Sequence, residues 1–335
     1  MKVDFSLIVV IYCATRDTIP LSAFKKVRKI FSTENETEYL VQYNGETYTL
    51  KVIKATSYST FTNVTKEFVS EEVNKTKGCP FLPQPEIVYV ENGVVYIIFK
   101  FAVEMTLAQL LEKEKRMSER KVRFFACQIA LALSHLHKNN LLSPFLTMEK
   151  ILVDCEGYIS LNDFGTYRLL SIDSKTIYLE SIKHKEHIIQ KHLDPVYLQL
   201  AKVSLSTDWW DFGIMVYQML IGKLVFNEIN QVVQKNGHVL EVSFPDPFEH
   251  LIFLTDTARS FISLLLCKDS NKKFNDDFVL KHSFLDSEEY KKTIIEKKAD
   301  LTQIFLLAED KKEFRFEDCA QEAISKIYPL DKKSK

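Results

Sequence analysis

The sequence predicts an α+β fold of two lobes, a small lobe built on a five-stranded antiparallel sheet followed by a larger, mainly helical lobe. Three observations carry this expectation. Short runs rich in β-branched and aromatic residues fill the first third of the chain. Asn-Gly pairs, which favour tight hairpins, separate neighbouring runs. Beyond them, apolar residues recur at helical spacing. With 335 residues, 46% of them hydrophobic, the chain is long enough to bury a substantial core.

The five strand candidates are AFKKVRKIF, EYLVQY, ETYTLKVI, EIVYVE and VVYIIFKF. Asn44-Gly45 joins the second to the third, and Asn92-Gly93 joins the fourth to the fifth. A helical segment around residues 63–77 interrupts them. In the second part, Thr106 is placed to cap LAQLLEKEKRM and Ser118 to cap ERKVRFFACQIALALSHLHKN. In the latter, Val122, Phe125, Ile129, Leu133 and Leu136 form one apolar stripe. A hairpin, ILVD-CEGY-ISL, follows. Ser206 or Thr207 is placed to cap DWWDFGIMVYQMLIG, which should close at Gly222, and TARSFISLLLC is a further short helix.

Charge is nearly balanced, 44 basic against 45 acidic residues, so nothing electrostatic points to nucleic acid or an anionic membrane. No run is apolar for long enough to span a bilayer. The first residues admit two readings. Lys2, the apolar run Phe5 to Ala14 and the polar residues after it fit a signal peptide over residues 1–15, which would direct the chain to the secretory route. The signal reading is preferred; the alternative is a buried first strand of a cytoplasmic protein, since Ile-Val-Val-Ile-Tyr is strongly β-prone, and Asp4 and the lack of a clean small-x-small site count against the signal. Asn35, Asn63 and Asn74 stand in Asn-x-Thr sequons, the glycosylation candidates under the first reading. The six cysteines show no metal-binding spacing, and Cys127 and Cys267 lie in apolar helical runs as packed thiols.

Sheet, helix, sheet, long helix, loop, hairpin and Asp-Phe-Gly, in that order, resemble a eukaryotic protein kinase domain over residues 24–285, with a small lobe over about 24–101 and a large lobe over about 102–285. Residues 286–335 form a charged C-terminal extension. Tyr48-Thr49-Leu50-Lys51 is similar to the third-strand motif carrying the phosphate-pairing lysine, and Asp163-Phe164-Gly165 to the metal-binding aspartate motif. Asp208-Trp209-Trp210 resembles the anchor helix of the AGC group of Ser/Thr kinases. The resemblance implies that nucleotide binding, where retained, would use Lys51, a helix carboxylate (Glu71, with Glu72 and Glu67 as competitors) and Asp163, the last as the metal ligand. An exposed strand lysine is the competing reading of Lys51.

The departures decide what such a fold can do. Phosphoryl transfer needs a phosphate cradle, bound magnesium and an oriented hydroxyl. The cradle stretch here, Phe31 to Tyr39, has no glycine and holds three glutamates. In the catalytic-loop frame fixed by Ile151-Leu152-Val153-Asp154, Ser143, Phe145, Thr147 and Lys150 stand where histidine, aspartate, lysine and asparagine do the chemistry. A phenyl ring accepts no proton, and an ammonium has no lone pair for magnesium. Glu149 neighbours the site and could stand in, although its place beside Lys150 reads first as a solvated or locally paired carboxylate. Val196 and Lys273 replace both halves of the ion pair that braces the large lobe of the family. The expectation is a pseudokinase, a binding or allosteric module for a protein partner, with no catalytic residues and no cofactor. ATP and magnesium enter only under the alternative of an atypical or weakly active Ser/Thr kinase or of a nucleotide-binding switch.

Overall fold

The computed structural model describes residues 9–13, 19–32, 36–54, 73–91, 94–101, 103–143, 146–162, 168–169, 205–223, 254–266, 276–285 and 287–305. Asn35, Asn63, Glu67, Glu71, Glu72, Phe145, Asp163, Val196 and Lys273 lie outside them, as do Asn92-Gly93 and Cys267.

The small lobe is an antiparallel sheet. It holds the five expected strands, β2 (Lys25–Ser32), β3 (Glu36–Tyr43), β4 (Glu46–Lys54), β5 (Pro85–Glu91) and β6 (Val94–Phe99), and a sixth, β1 (Val9–Cys13). The order is β1-β5-β6-β4-β3-β2, so β1 and β2 are the edges. The extra strand is the apolar run that also reads as a leader. Val9–Cys13 of that run pairs along β5, from Val9 opposite Val90 to Cys13 opposite Ile87. Asn44 and Gly45 have φ of 49° and 82°, the left-handed pair a two-residue hairpin needs, and they fix the β3–β4 register with Glu38 opposite Lys51. Phe24, Val41, Leu50, Ile87, Tyr89 and Ile98 fill one face of the sheet. Residues 73–76 are the described part of the expected intervening helix; Asn74 there is exposed, whereas Thr76 of its sequon is buried.

The large lobe begins with β7 (Val103–Thr106) and α1 (Leu107–Glu114). Thr106 caps α1 in a reciprocal capping box with Gln109, and Ser118 caps α2 (Glu119–Lys138), as expected. All five stripe residues of α2 are buried. Next come β8 (Leu141–Leu142), β9 (Ile151–Asp154), β10 (Ile159–Leu161) and β11 (Arg168–Leu169), with β9 between β10 and β7 and β8 paired to β11. Helix α3 (Leu205–Ile221) is buried nearly all round, the signature of a central helix. Ser206 and Thr207 lie inside its first turn rather than capping it, and it closes at Gly222 (φ 77°) as expected. Helices α4 (Asp256–Leu265), α5 (Asp276–Leu280), α6 (Glu288–Ile295) and α7 (Leu301–Phe305) complete the described chain. No helix among the described residues is long and apolar enough to cross a membrane.

One buried polar knot ties α2, α3, α5 and the loop after β8. Asp208 Oδ2 accepts from the Ser143 backbone N–H at 2.8 Å and from His137 Nε2 at 3.0 Å. His137 Nδ1 donates to Asp276 Oδ1 at 2.8 Å, and Trp209 Nε1 donates to the same oxygen at 3.0 Å. Burial pulls the His137 pKa down, but the hydrogen bonds and charges of Asp208 and Asp276 outweigh it and lift the value to about 9. A doubly donating imidazolium is what the geometry requires. A pKa raised on folding gives stability that is full below the unfolded value of 6.5 and is lost as pH climbs through about 9. The wild-type Tm should therefore fall across that window, by the equivalent of about 3 kcal/mol. His137→Asn should start lower and show a much flatter profile in a pH series of melting curves.

Candidate functional site

The cleft between the lobes is where the sequence places its chemistry. From the small lobe come the cradle strands β2 and β3 and Lys51 on β4; from the large lobe come the loop after β8 and the β9–β10 hairpin. Glu36 and Glu38 sit two residues apart on β3, so both project to one side of the sheet, the side of Lys51.

Lys51 is not an exposed strand lysine. Its side chain is 1% accessible, and its Nζ donates to the Asn162 carbonyl at 3.0 Å, with Glu36 Oε2 at 3.8 Å. Asn162 lies one residue before Asp163, so the lysine reaches the start of the Asp-Phe-Gly motif through its backbone. The Asn162 side chain turns back: its Nδ2 donates to Glu38 Oε1. Glu38 is 3% accessible although it stands in a strand where a cradle should be open to ligand. Lys51, Glu36, Glu38 and Asn162 thus form a polar bridge that runs from the small lobe to the large one inside the cleft. A charge buried in this way is tolerated only when paired and hydrogen-bonded.

Beside the polar bridge lies an apolar one. Ile30, Val103 and Leu152 are buried against each other, with Phe31, Leu40 and Phe101 packed around them. Phe31 and Leu40 belong to the cradle strands β2 and β3, Phe101 and Val103 to the connection between lobes, and Leu152 to β9. The residue heading the glycine-free cradle, Phe31, thereby joins a cluster that spans both lobes. Two further contacts fasten the sheet to the connection: Thr49 Oγ1 donates to the Phe101 carbonyl at 2.7 Å, and Arg28 Nη2 donates to the carbonyls of Val103 and Glu104.

The catalytic-loop frame keeps its packing. Leu142, Leu146, Ile151 and Leu152 are buried, and the Ser143 N–H is held by Asp208. Lys150 hands its carbonyl to the Asn162 N–H at 2.8 Å, which joins the loop to the end of β10. Glu149 is exposed. A cavity of about 40 Å³ between this loop and α3, lined by Leu146, Thr147, Met148, Glu149, Asp211, Met215 and Gln218, has room for a water molecule and not for a nucleotide. Among the described residues no cluster of His, Cys, Asp and Glu could hold a metal ion. The structure brings Lys51 onto the Asn162 carbonyl, one residue before the Asp-Phe-Gly motif; the helix carboxylates expected beside it, Glu71 first, lie outside the described residues. It also pairs Glu36 and Glu38, which the sequence marked only as cradle carboxylates, with Lys51 and Asn162, the latter of which the sequence did not single out. The signal was present: the Asn44-Gly45 hairpin sets Glu38 opposite Lys51.

A two-lobed fold with a lysine-bearing third strand, an anchored catalytic-loop frame and a central Asp-Trp-Trp anchor helix defines the protein kinase class. The pattern of the protein kinase domain family matches residues 9–285, and the chain belongs to that family. The match starts at the edge strand β1, ahead of the residue 24 boundary expected from motifs. A Dictyostelium discoideum protein named as a probable serine/threonine-protein kinase is 29% identical over 250 residues, covering 73% of this chain and 52% of its own. The RAC family serine/threonine-protein kinase homolog of the same organism is 28% identical over 247 residues, 72% of this chain and 53% of its own. Cyclic AMP-dependent protein kinase type 3 of Saccharomyces cerevisiae is 24% identical over 265 residues, 78% of this chain and 63% of its own. The chain thus spans about half the length of the first two curated relatives it matches.

Lys51 carries a testable consequence. In an enzyme that keeps this lysine for substrate, its removal abolishes turnover with little change in stability. Here Lys51→Met removes the cation from beside two carboxylates. It should destabilise the fold by about 3 kcal/mol, because breaking a buried pair strands the remaining charge. Urea denaturation should show a clearly lowered midpoint, and an unchanged midpoint would show that the ammonium does not hold the bridge.

Proposed function

We propose that this chain is a pseudokinase, a protein kinase fold that does not transfer phosphate and acts as a binding or allosteric module for a protein partner. The observation that carries this reading is the Glu38–Asn162–Lys51 bridge across the cleft, where the family's phosphates and metal would lie. A triphosphate placed there would meet Glu36 and Glu38. Two like charges about 4 Å apart repel by about 1 kcal/mol in water and about 4 kcal/mol in a partly buried cleft. It would also have to displace the Lys51–Asn162 bond and the Phe31–Leu152 packing. The loop frame supports the same reading, since Phe145 and Lys150 occupy the positions of base and second metal ligand. Each missing part alone slows phosphoryl transfer by orders of magnitude.

A chain whose loop keeps its apolar docking residues while its polar ones are replaced has kept a surface rather than a reaction. Export is a separate proposal. Lys2 and the Phe5–Ala14 run support it, and the pairing of Val9–Cys13 along β5 opposes cleavage after Ala14.

The alternative, nucleotide binding with or without weak catalysis, rests on the retention of Lys51 and Asp163, and one experiment separates the two. In a thermal-shift titration with ATP, alone and with Mg²⁺ or Mn²⁺, the expected result is an unchanged Tm up to millimolar nucleotide. Binding with a Kd a hundredfold below the nucleotide concentration would stabilise by about 2.7 kcal/mol and raise Tm visibly. A metal-dependent rise would overturn the non-binding reading, and radiolabelled phosphate transfer abolished by Asp163→Asn would establish the enzyme.

A further inference from the structure

We propose that residues 297–305 form a strap that holds the cleft in its filled state by clasping the tip of the β9–β10 hairpin, a proposal that rests on the reading of the cleft as filled by the chain's own side chains. The hairpin is the element that makes the link. Leu152, the large-lobe floor of the apolar bridge, is in β9, and Asn162, the large-lobe partner of Lys51 and Glu38, directly follows β10. Both of these large-lobe contributions to the cleft are therefore set by one short two-stranded unit. Val103, the connection's contribution to the same cluster, pairs with Asp154 of β9, so it too moves with the hairpin.

The opposite end of this unit is gripped by the tail. The tip is closed by the Gly157 N–H on the Asp154 carbonyl and by Asp154 Oδ1 accepting from the Glu156 and Tyr158 N–H groups. Lys297 Nζ lies 3.6 Å from Asp154 Oδ2 and 5.0 Å above the Tyr158 ring. The Ala299 N–H donates to the Tyr158 hydroxyl at 3.3 Å. Phe305 then inserts its ring over the tip, where it meets Phe124 and Phe125 edge-on at centroid distances of 5.9 and 6.3 Å. Gly157 is what admits the ring: a Cβ there would lie 2.5 Å from Phe305, and its φ of 85° already favours glycine for the turn. Lys121 Nζ, 5.1 Å over the Phe305 ring, closes the slot from α2.

A hairpin of four and three residues has little stability of its own and takes its position from what packs on it, along β7 and the large-lobe core as well as at its two ends. One end is the cleft bridge and the other is the strap, so each stabilises the placement that the other needs. That is a coupling between two sites through one physical element, and it is reciprocal. Whatever lifts the tail from the hairpin tip loosens Leu152 and Asn162 together, which makes the strap the handle through which events at the C-terminal extension reach the cleft.

Hydrogen–deuterium exchange on the full chain tests this, with Phe305→Ala and the milder Phe305→Leu against wild type. Exchange should accelerate by about tenfold in peptides covering 150–162 and by at least about threefold in those covering the cleft strands 36–41 and 49–53, with Leu intermediate. Acceleration confined to the tail and the hairpin tip would overturn the strap. Should Phe305→Ala unfold the whole lobe, all its peptides would exchange together, and the Leu variant decides by the same criterion. Failure of the strap is distinct from failure of the cleft reading. A wild type that shifts with nucleotide sinks the latter whatever the strap does, while a silent wild type with unresponsive cleft strands sinks the strap alone.

Discussion

The Lys51 ammonium, enclosed between a glutamate strand and a backbone carbonyl, is the constraint on which the rest of the molecule turns. A buried cation must find anionic or carbonyl partners, because leaving it unpaired in a low-dielectric interior costs several kcal/mol. In a nucleotide-binding fold those partners include phosphates. Here Glu36 and the Asn162 carbonyl supply them from the chain itself, while the Asn162 side chain engages Glu38. The apolar cluster of Ile30, Phe31, Leu40, Phe101, Val103 and Leu152 plays the corresponding part for nonpolar surface. The lobes are joined by protein–protein contacts where the family leaves room for a ligand.

The large lobe reaches the same independence by another route. The family braces this lobe with an ion pair whose positions are Val196 and Lys273 in this chain. The buried knot of His137, Asp208, Asp276 and Trp209 links α2, α3 and α5 and holds the loop backbone at Ser143. A fold stabilised this way can lose its catalytic side chains and keep its shape, which is what the proposed binding module requires.

Much of this was legible in the sequence because it rests on local chemistry. Capping residues Thr106 and Ser118, the Asn44-Gly45 turn, Gly222 and the α2 stripe act within a turn or two of chain, and each appears where its residue type places it. The order of the kinase motifs gave the lobes. What escaped is what depends on distant partners. No local pattern announces that Glu38 meets Asn162, 124 positions away, or that Gly157 is left without a side chain for Phe305. The Phe5–Ala14 run was ambiguous for a physical reason, since a short apolar β-branched segment satisfies both a leader and an edge strand. Ser206 and Thr207 misled because α3 starts at Leu205, and a helix this deeply buried draws its limits from packing more than from capping.

The central claim, that the chain's own side chains exclude nucleotide, is tested most directly by equilibrium titration with a fluorescent ATP analogue. Wild type would be compared with the double variant Phe31→Gly/Glu38→Ala, which removes one side chain from each bridge. The account predicts a flat titration for wild type and saturable binding for the variant. Saturation by the wild type, or silence from both proteins, would contradict it.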